Sequence, residues 1–332
     1  MTIVESNTIA CGASGKAGGY LAKDWSDHSP LGPLSRKSFQ LHHELARTLP
    51  SEEYGFRTVD TLSVSMASRR SKKTTLKLPE WMNGEHVSGS QILGTQATGC
   101  QVHPEHFTKT ILKAAQETGH TQVVYAAVKH IDAAKTQVKL STGETLEADH
   151  IVIAMGPWTA LAQQWLPQIP DITTQRAHSI VLQPEGDLLS GHVIFAEGNR
   201  TGPDPEIVPR PDGTVYVCGC TDDAPLPQCS TQVVCRQEYQ SQLHKTTGLL
   251  SKRLGEAECV KLQACYLPYT PDGLPVMGKL GDTISIATGH SCWGILNAPA
   301  TGLVMSELIV DGQMQSLDGT PFSPSRFSSV CN

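Results

Sequence analysis

Residues 287–302 read Ala-Thr-Gly-His-Ser-Cys-Trp-Gly-Ile-Leu-Asn-Ala-Pro-Ala-Thr-Gly, and this stretch decides the fold. An apolar strand over 283–287 leads into it, and an apolar helix over 300–310 follows. The pattern predicts a strand, a glycine-rich loop over 289–299 and a helix. Free N–H groups at a helix start favour negative charge, so the loop is a candidate ligand-binding segment. Ordinary core packing is the alternative interpretation.

A second strand–glycine–helix pattern occupies residues 151–158, Ile-Val-Ile-Ala-Met-Gly-Pro-Trp. The apolar run over 151–154 predicts a strand buried on both faces, as in a parallel sheet. Pro157 is well placed to open a helix that runs to about Leu166. Gly156 would let the chain pass close to a ligand at the carboxyl end of the sheet. A tight strand–helix turn without a ligand is the alternative.

The N-terminus carries two further signals. Ile-Val-Glu at 3–5 is a strand ending in an acid, the form whose carboxylate binds ribose hydroxyls in a dinucleotide-binding unit. The small residues over 13–19 let the backbone approach a phosphate closely. A Walker A loop is excluded, because Ala10 replaces its first glycine and Ala17 its hydroxyl residue. A plain flexible loop remains the alternative.

The chain as a whole has βα units at both ends and a β-rich middle. Residues 170–265 are strand-rich and predict an antiparallel sheet with a helix inside it at 232–254. Two discontinuous domains of an α/β protein fit this arrangement. The predicted nucleotide-binding domain is 1–50, 101–165 and 270–325, and the predicted substrate domain is 51–100 and 166–269.

Composition excludes several classes of function. The chain has 332 residues, 39% apolar and 17% charged, with a net charge of −6, which is typical of a globular protein. It shows no basic stripe for nucleic acid, and the run Arg-Arg-Ser-Lys-Lys at 69–73 is expected to be a solvated loop. No segment approaches the roughly 18 apolar residues of a membrane span, and no secretory signal is present. A cytoplasmic protein is therefore expected.

The 10 cysteines are expected to be free thiols, mostly buried. Cys218 and Cys220 should lie on one face of a strand, and Cys229 and Cys235 follow. No histidine or further cysteine stands at metal-ligand spacing, so no metal site is predicted.

Four blocks together resemble the FAD-dependent oxidoreductases of the D-amino-acid oxidase, glycine oxidase and sarcosine oxidase type. They are 12–21, 101–104 with its following helix, 151–158, and 269–302, which opens with Tyr-Thr-Pro-Asp-Gly-Leu-Pro. The 13–19 loop is most similar to a eukaryotic branch of cytosolic, in part endosome-associated, oxidoreductases. The resemblance implies a Rossmann-like FAD domain with an inserted antiparallel β-sheet substrate domain. It also implies a small amine or amino-acid substrate, oxidised by hydride transfer from the carbon next to nitrogen to flavin N5.

The resemblance also implies roles for individual residues. Glu5 would bind the adenosine ribose, and Val128 would present its backbone to adenine. The pyrophosphate and flavin would be lined by Ser14, Gly15, Lys16, Ala17, Gly18 and Gly19. The dinucleotide would be bordered by Ala154, Gly156 and Trp158. The flavin ring would be framed by Gly289, His290, Gly294, Ile295 and Leu296.

Catalytic chemistry is less well marked. His290 is the candidate polar side chain over the ring, because its pKa lies near the working pH; a backbone-positioning or core role is the alternative. Cys265 stands five residues before Thr270, a spacing similar to that of the flavin-linked cysteine of monomeric sarcosine oxidase; a buried thiol is the alternative. The arginines that could bind a substrate carboxylate are Arg176, Arg200 and Arg210.

One departure from the family pattern is clear. Family members begin with a strand–GxGxxG–helix unit of roughly 30 residues, but the sequence contains no GxGxxG. That unit supplies a central strand and the amides for the pyrophosphate, so neighbouring strands should have uncovered apolar flanks. A truncated isoform or an incomplete gene model is expected, with a non-catalytic binding or trafficking role as the alternative function. A nicotinamide dehydrogenase is disfavoured, because the 289–302 block suits a flavin ring.

Overall fold

The computed structural model describes residues 1–67, 77–186 and 191–327. The basic run at 69–73 lies outside the described residues. The strands are β1 (Thr2–Glu5), β2 (Tyr20–Ala22), β3 (Arg57–Thr58), β4 (Asp60–Met66), β5 (Val87–Gly94), β6 (Gly99–Gln101), β7 (Gln122–Tyr125), β8 (Val128–Asp132), β9 (Gln137–Leu140), β10 (Thr145–Glu147), β11 (Ile151–Ile153), β12 (Thr173–Gln183), β13 (His192–Glu197), β14 (Glu206–Pro209), β15 (Val215–Asp222), β16 (Glu258–Tyr269), β17 (Val276–Lys279) and β18 (Ile284–Thr288). The α-helices are α1 (Ala13–Lys16), α2 (Gly32–Thr48), α3 (Pro104–Glu117), α4 (Gln237–Leu250), α5 (Lys252–Gly255) and α6 (Gly294–Val310).

Parallel strands form at both ends of the chain, as the sequence predicts. β1 pairs with β7 in parallel, and β11 pairs with β18 in parallel. β17 adds an antiparallel edge beside β18. Apolar side chains of β11, β17 and β18 form one buried cluster that includes Ile153, Val276 and Ile286. This part of the molecule therefore has the parallel arrangement of a nucleotide-binding domain.

The middle of the chain forms a seven-stranded sheet in the order β16-β12-β15-β14-β13-β4-β5. Its pairings are antiparallel except for that between β13 and β4. The predicted helix within this region divides into α4 and α5, which pack on one face of the sheet through Leu243, Leu250 and Leu254. The α/β fold class with a large, mostly antiparallel sheet is confirmed, whereas the division into domains stays a prediction.

A β-bulge corrects the expectation that Cys218 and Cys220 share one face. The register of β15 against β12 shifts between His178 and Ser179, so that Gly219 is the extra residue. A bulge reverses the alternation of side chains. Cys220 therefore packs in the core under α4, whereas Cys218 lies on the opposite face of the sheet.

The start of α6 also differs from the expectation. The sequence predicted a loop over 289–299 and a helix over 300–310, but α6 begins at Gly294 and includes Pro299. Proline lacks an N–H and its ring excludes the bond to the carbonyl four residues back, which here belongs to Ile295. The freed carbonyl is satisfied from outside the helix, because His42 Nε2 lies 3.0 Å from Ile295 O.

The helix α2 supplies further polar contacts to α6. Ser38 Oγ accepts from the backbone N of Ala300 at 3.0 Å, and His42 Nε2 also lies 3.2 Å from Leu296 O. Ser35 Oγ donates to Asn297 Oδ1 at 3.1 Å. These α2 side chains follow one helical stripe, so the early start of α6 depends on a partner helix.

The strand at 151–153 is buried on one face only. Ile151 and Ile153 are in the core, but Val152 is 43% exposed. The expectation of burial on both faces is therefore wrong for this strand. The helix predicted after it, opening at Pro157, is a 3₁₀ segment over Gly156–Gln164.

One helix of the described residues, Ser291–Val310, is long and apolar enough to cross a membrane by length and composition. The sequence expectation that no segment reaches this length is corrected to that extent. Ala300 and Val304 are fully buried beside Leu34 of α2 and Met277 of β17. A core helix meets the same criteria, and these contacts account for its apolar residues.

Candidate cofactor and substrate site

The glycine-rich segments at 12–19 and 289–296 come together in space. Ala17 packs in one hydrophobic cluster with Ile295 and Leu296, and Trp293 joins the same cluster. The two segments are far apart in the chain, so it is the tertiary fold, and not the local sequence, that brings them together. The convergence is the geometry that a flat ring held between two segments requires.

The segment at 154–158 borders the same place. A Cβ on Gly12 would lie 3.7 Å from the Trp158 ring, and the indole donates from Nε1 to Pro227 O at 2.8 Å. Thr288 Oγ1 donates to Gly156 O at 3.1 Å, which ties this turn to the residue before Gly289. Three of the predicted cofactor-binding blocks therefore adjoin one another.

The glycines of the 12–19 loop are required by close backbone approaches. A Cβ on Gly15 would lie 1.9 Å from Ala10 O. Gly19 has a φ of +87° and would place a Cβ 2.0 Å from Val102 O. The loop follows this path only with glycine at these points. Ser14 is exposed on the single turn α1.

Hydrogen bonds to the large sheet and to the residue after β14 hold this loop in position. Lys16 Nζ donates to Ala264 O at 3.0 Å, and Gln263 Nε2 donates to Lys16 O at 3.5 Å. Arg210 Nη2 donates to Ala17 O at 3.3 Å. The site therefore lies between the parallel strands and the large sheet, the interface at which ligand sites commonly occur.

A cleft of about 650 Å³ opens beside the ends of β1 and β7. Its charged lining consists of Lys16, Lys109, Lys261 and Glu105, and Tyr125 forms part of its wall. Three ammonium groups against one carboxylate suit an anionic ligand. Ligands of open α/β sheets bind at the carboxyl ends of parallel strands, which is where this cleft lies.

Glu5 ends β1 next to this cleft. Its Oε1 accepts from the backbone N of Asn7 at 2.9 Å, and Cys11 Sγ lies 3.9 Å away. Val128, the other residue assigned to the adenosine half, begins β8 and packs against the Ile131 cluster. Ala154 is exposed at the end of β11. The ribose and adenine assignments of these residues stay predictions.

Gly289 and His290 stand where β18 gives way to α6. Gly289 has a φ of +78°, and a Cβ there would lie 2.7 Å from Thr270 Cγ2. The His290 ring turns toward α6, with Nε2 3.4 Å from Thr301 Oγ1. Burial lowers the pKa of His290 to about 4, so the imidazole is neutral near neutral pH.

The second ring nitrogen of His290, Nδ1, is buried and has no hydrogen-bond partner among the described residues. Depending on the tautomer, Nδ1 can accept a hydrogen bond from a ligand or donate one to it. The contact of Nε2 with Thr301 favours a positioning role, and a catalytic role for His290 stays a prediction.

Cys265 lies on β16 below the 13–19 loop. Burial raises the pKa of its thiol to about 11. A thiol with this pKa carries little thiolate, the nucleophilic form. The environment thus favours the buried-thiol interpretation over a covalent flavin link.

The three arginines differ in their availability to a substrate. Arg176 donates from Nε and Nη2 to both carboxylate oxygens of Asp222, each at 2.9 Å. Arg210 is 6% exposed, with Nη1 3.2 Å from His103 Nε2. Arg200 is exposed in the loop after β13. The Arg176 guanidinium is therefore committed to Asp222, whereas the buried Nε of Arg210 has no hydrogen-bond partner among the described residues.

The parallel strands do not form one continuous sheet. Within residues 1–67, 77–186 and 191–327, β1 pairs with β7 alone and β11 with β18 alone. Val152 on β11 is exposed, and the expectation that the lack of a GxGxxG unit uncovers apolar flanks of neighbouring strands stays a prediction.

Similarity to known proteins agrees with this geometry. Residues 1–308 match the DAO family, described as FAD dependent oxidoreductase. The chain belongs to this family, so its cofactor class is FAD and its class of protein is an oxidoreductase. The predicted family, cofactor and enzyme class are confirmed.

Individual relatives are similar over nearly the whole chain. "Putative oxidoreductase C1F5.03c" of Schizosaccharomyces pombe is 33% identical over 95% of this chain and 87% of its own. Glycine oxidase of Geobacillus kaustophilus is 26% identical, covering 98% and 90%. The crystal structure of a glycine oxidase from that organism superposes with a TM-score of 0.83 over 98% of this chain and 91% of its own, at 22% identity. L-proline dehydrogenase from P. horikoshii superposes with a TM-score of 0.80 over 98% and 91%, at 16% identity.

The residues present fit FAD. The backbone around Gly156, with a φ of +53°, has open space where a Cβ would stand. The cationic cleft provides charges for a pyrophosphate, and α6 begins at Gly294 beside the proposed ring position. Sequence reasoning missed Lys109, Lys261 and the half-buried Glu206 on β14, because each stands alone in an ordinary stretch of sequence.

Proposed function

We propose that the chain, with FAD, oxidises the CH–NH group of a small amine or amino-acid-like substrate. The observation that carries the proposal is that Ala17 of the 12–19 loop packs in the same hydrophobic cluster as Ile295 and Leu296. Bound FAD would supply the acceptor for a hydride that leaves the carbon next to nitrogen and reaches flavin N5. Named relatives of this type include glycine oxidase and L-proline dehydrogenase.

The protein's own residues bind and orient in this proposal. When FAD is bound, Lys16 and the loop amides would neutralise the pyrophosphate, and the start of α6 at Gly294 would stabilise negative charge on the ring. Arg210 keeps the loop in register by holding Ala17 O. His290 positions the segment after Gly289 through its contact with Thr301. Hydride transfer needs no strong acid–base pair, so a neutral imidazole is compatible with it.

The test is anaerobic. The purified full chain is mixed with FAD, passed through a desalting column, and treated with small amines and amino acids while the visible absorbance of oxidised flavin is followed. Bleaching by at least one compound, with formation of the matching carbonyl product, is expected. Retained FAD that no CH–NH compound reduces would contradict the proposed reaction and favour the non-catalytic binding role.

A further inference from the structure

Glu206 places a carboxyl group at the centre of the large sheet. It begins β14, the fourth of the seven strands, and its side chain lies on the face that meets the 13–19 loop. A Cβ on Gly18 would stand 2.8 Å from Glu206 Oε1 and 3.1 Å from the Tyr216 ring. The carboxylate therefore packs directly against the loop proposed to line the flavin.

This carboxylate has weak partners within the described residues. Cys218 Sγ donates to Glu206 Oε2 at 3.3 Å, and burial raises the pKa of Glu206. A thiol is a weak donor, and a buried carboxylate without a strong partner is costly. The positive charge of Arg210 lowers the pKa of Glu206, in part opposing the effect of burial, while Arg210 Nη1 and Nη2 face His103 and the Ala17 carbonyl.

Glu206 also acts electrostatically on the second ring-framing segment. Burial raises the pKa of the Cys292 thiol, which lies between Gly289 and Gly294, and the charge of Glu206 adds to this increase. The carboxylate thus stands near both segments that converge on the proposed flavin position. It therefore borders the proposed flavin position on the side of Gly18.

The face that carries Glu206 has one buried guanidinium, that of Arg210, because Arg176 pairs with Asp222 on the opposite face, under α4. Arg210 Nη1 lies 3.2 Å from His103 Nε2, Nη2 donates to Ala17 O, and the buried Nε has no hydrogen-bond partner among the described residues. The face therefore carries both an acceptor for a cationic group, Glu206, and one guanidinium, whose Nη groups hold His103 and the 13–19 loop. A carboxylate placed beside Glu206 would be repelled, whereas an ammonium would be attracted.

We infer that Glu206 binds the ammonium group of the substrate, and that the substrate class is a cationic amine with no carboxylate on the reacting carbon. The inference rests on the proposed function and specifies its substrate. An ammonium group would form a charge-assisted hydrogen bond with Glu206, which is stronger than the hydrogen bond from the Cys218 thiol.

Butylamine and norvaline provide the test, because norvaline is butylamine with a carboxylate on the reacting carbon. Binding of each to the FAD-loaded full chain is measured anaerobically by calorimetry, and flavin reduction is recorded separately. Wild type is expected to bind butylamine about ten- to a hundredfold more tightly than either enantiomer of norvaline. Glu206→Gln should lose that preference and Glu206→Asp should keep most of it.

Glu197→Gln is the matched control, because Glu197 is an exposed glutamate on the adjacent strand β13 and accepts from Ser65 Oγ at 3.0 Å. It should leave the butylamine preference unchanged. Tighter binding of norvaline by wild type, no binding of butylamine, or an unchanged preference in Glu206→Gln would overturn the inference. Butylamine binding without flavin reduction would instead contradict the proposed reaction and leave Glu206 as an ammonium site.

Discussion

The buried His42 should make the stability of the fold depend on acid. His42 is 1% exposed and contacts the carbonyls of Ile295 and Leu296 through Nε2, at 3.0 and 3.2 Å. Carbonyls only accept, so Nε2 carries the hydrogen. Burial lowers the pKa of His42 to about 4. The folded protein therefore keeps this ring neutral at pH values where the unfolded chain takes up a proton.

The sign and size follow from linkage. The pKa of His42 in the unfolded chain is about 6.5. Above that pH His42 is neutral in both the folded and the unfolded state, so it does not make the free energy of unfolding depend on pH. As the pH falls from about 6.5 to about 4, the unfolded state binds a proton that the folded state does not. A difference of about 2.5 pKa units corresponds to about 3 kcal/mol, lost by about pH 4.

The assay is urea unfolding of wild type, His42→Gln and His28→Gln between about pH 7 and pH 4.5. Glutamine keeps an N–H donor but does not titrate, so His42→Gln should lose about 1 kcal/mol at neutral pH through poorer geometry. It should then lose less stability than wild type on acidification. His28 is exposed, and its variant should follow wild type. A constant difference between wild type and His42→Gln at every pH would refute the reasoning.

Three further outcomes are expected. In chemical denaturation, Gly289→Ala should destabilise the fold by about 2 kcal/mol, because the φ of +78° and the Thr270 methyl group exclude a Cβ. The control is Gly302→Ala, because Gly302 has open space for a Cβ within α6. That variant should be neutral or more stable by up to about 1 kcal/mol. Acid precipitation of FAD-loaded protein should release the flavin to the supernatant, because Cys265 is a buried thiol; flavin retained in the pellet by mass spectrometry would show a covalent link. Arg210→Lys should weaken FAD binding about tenfold in a fluorescence titration, because lysine cannot span Ala17 O and His103 together; unchanged affinity would exclude this role.

The sequence pattern was sufficient to predict those elements whose structure depends on residues close in the chain. The apolar run at 151–153 forms a strand, and His103 followed by Pro104 begins α3, with His103 Nδ1 accepting from the backbone N of His106 at 3.4 Å. The acid-ended strand at 2–5 and the strand at 284–288 also form where they were predicted. In each case the spacing of apolar residues and the position of proline or glycine decide the element.

Distant contacts explain what the sequence could not predict. Pro299 marked a helix boundary by local rules, but His42 on α2 satisfies the carbonyl that it frees, so α6 starts earlier. The extra residue Gly219 moves Cys220 to the opposite face, and a bulge leaves little trace in one sequence. Glu206 resembled any acid in a strand until the fold placed it against Gly18.

Hydrogen–deuterium exchange with and without FAD tests the central claim most directly. If residues 12–19 and 289–296 hold one cofactor, both segments should gain protection together when FAD is added. The helix α4 on the far face of the sheet should not change. Protection of one segment alone, or no change in either while the chain stays folded, would contradict the account.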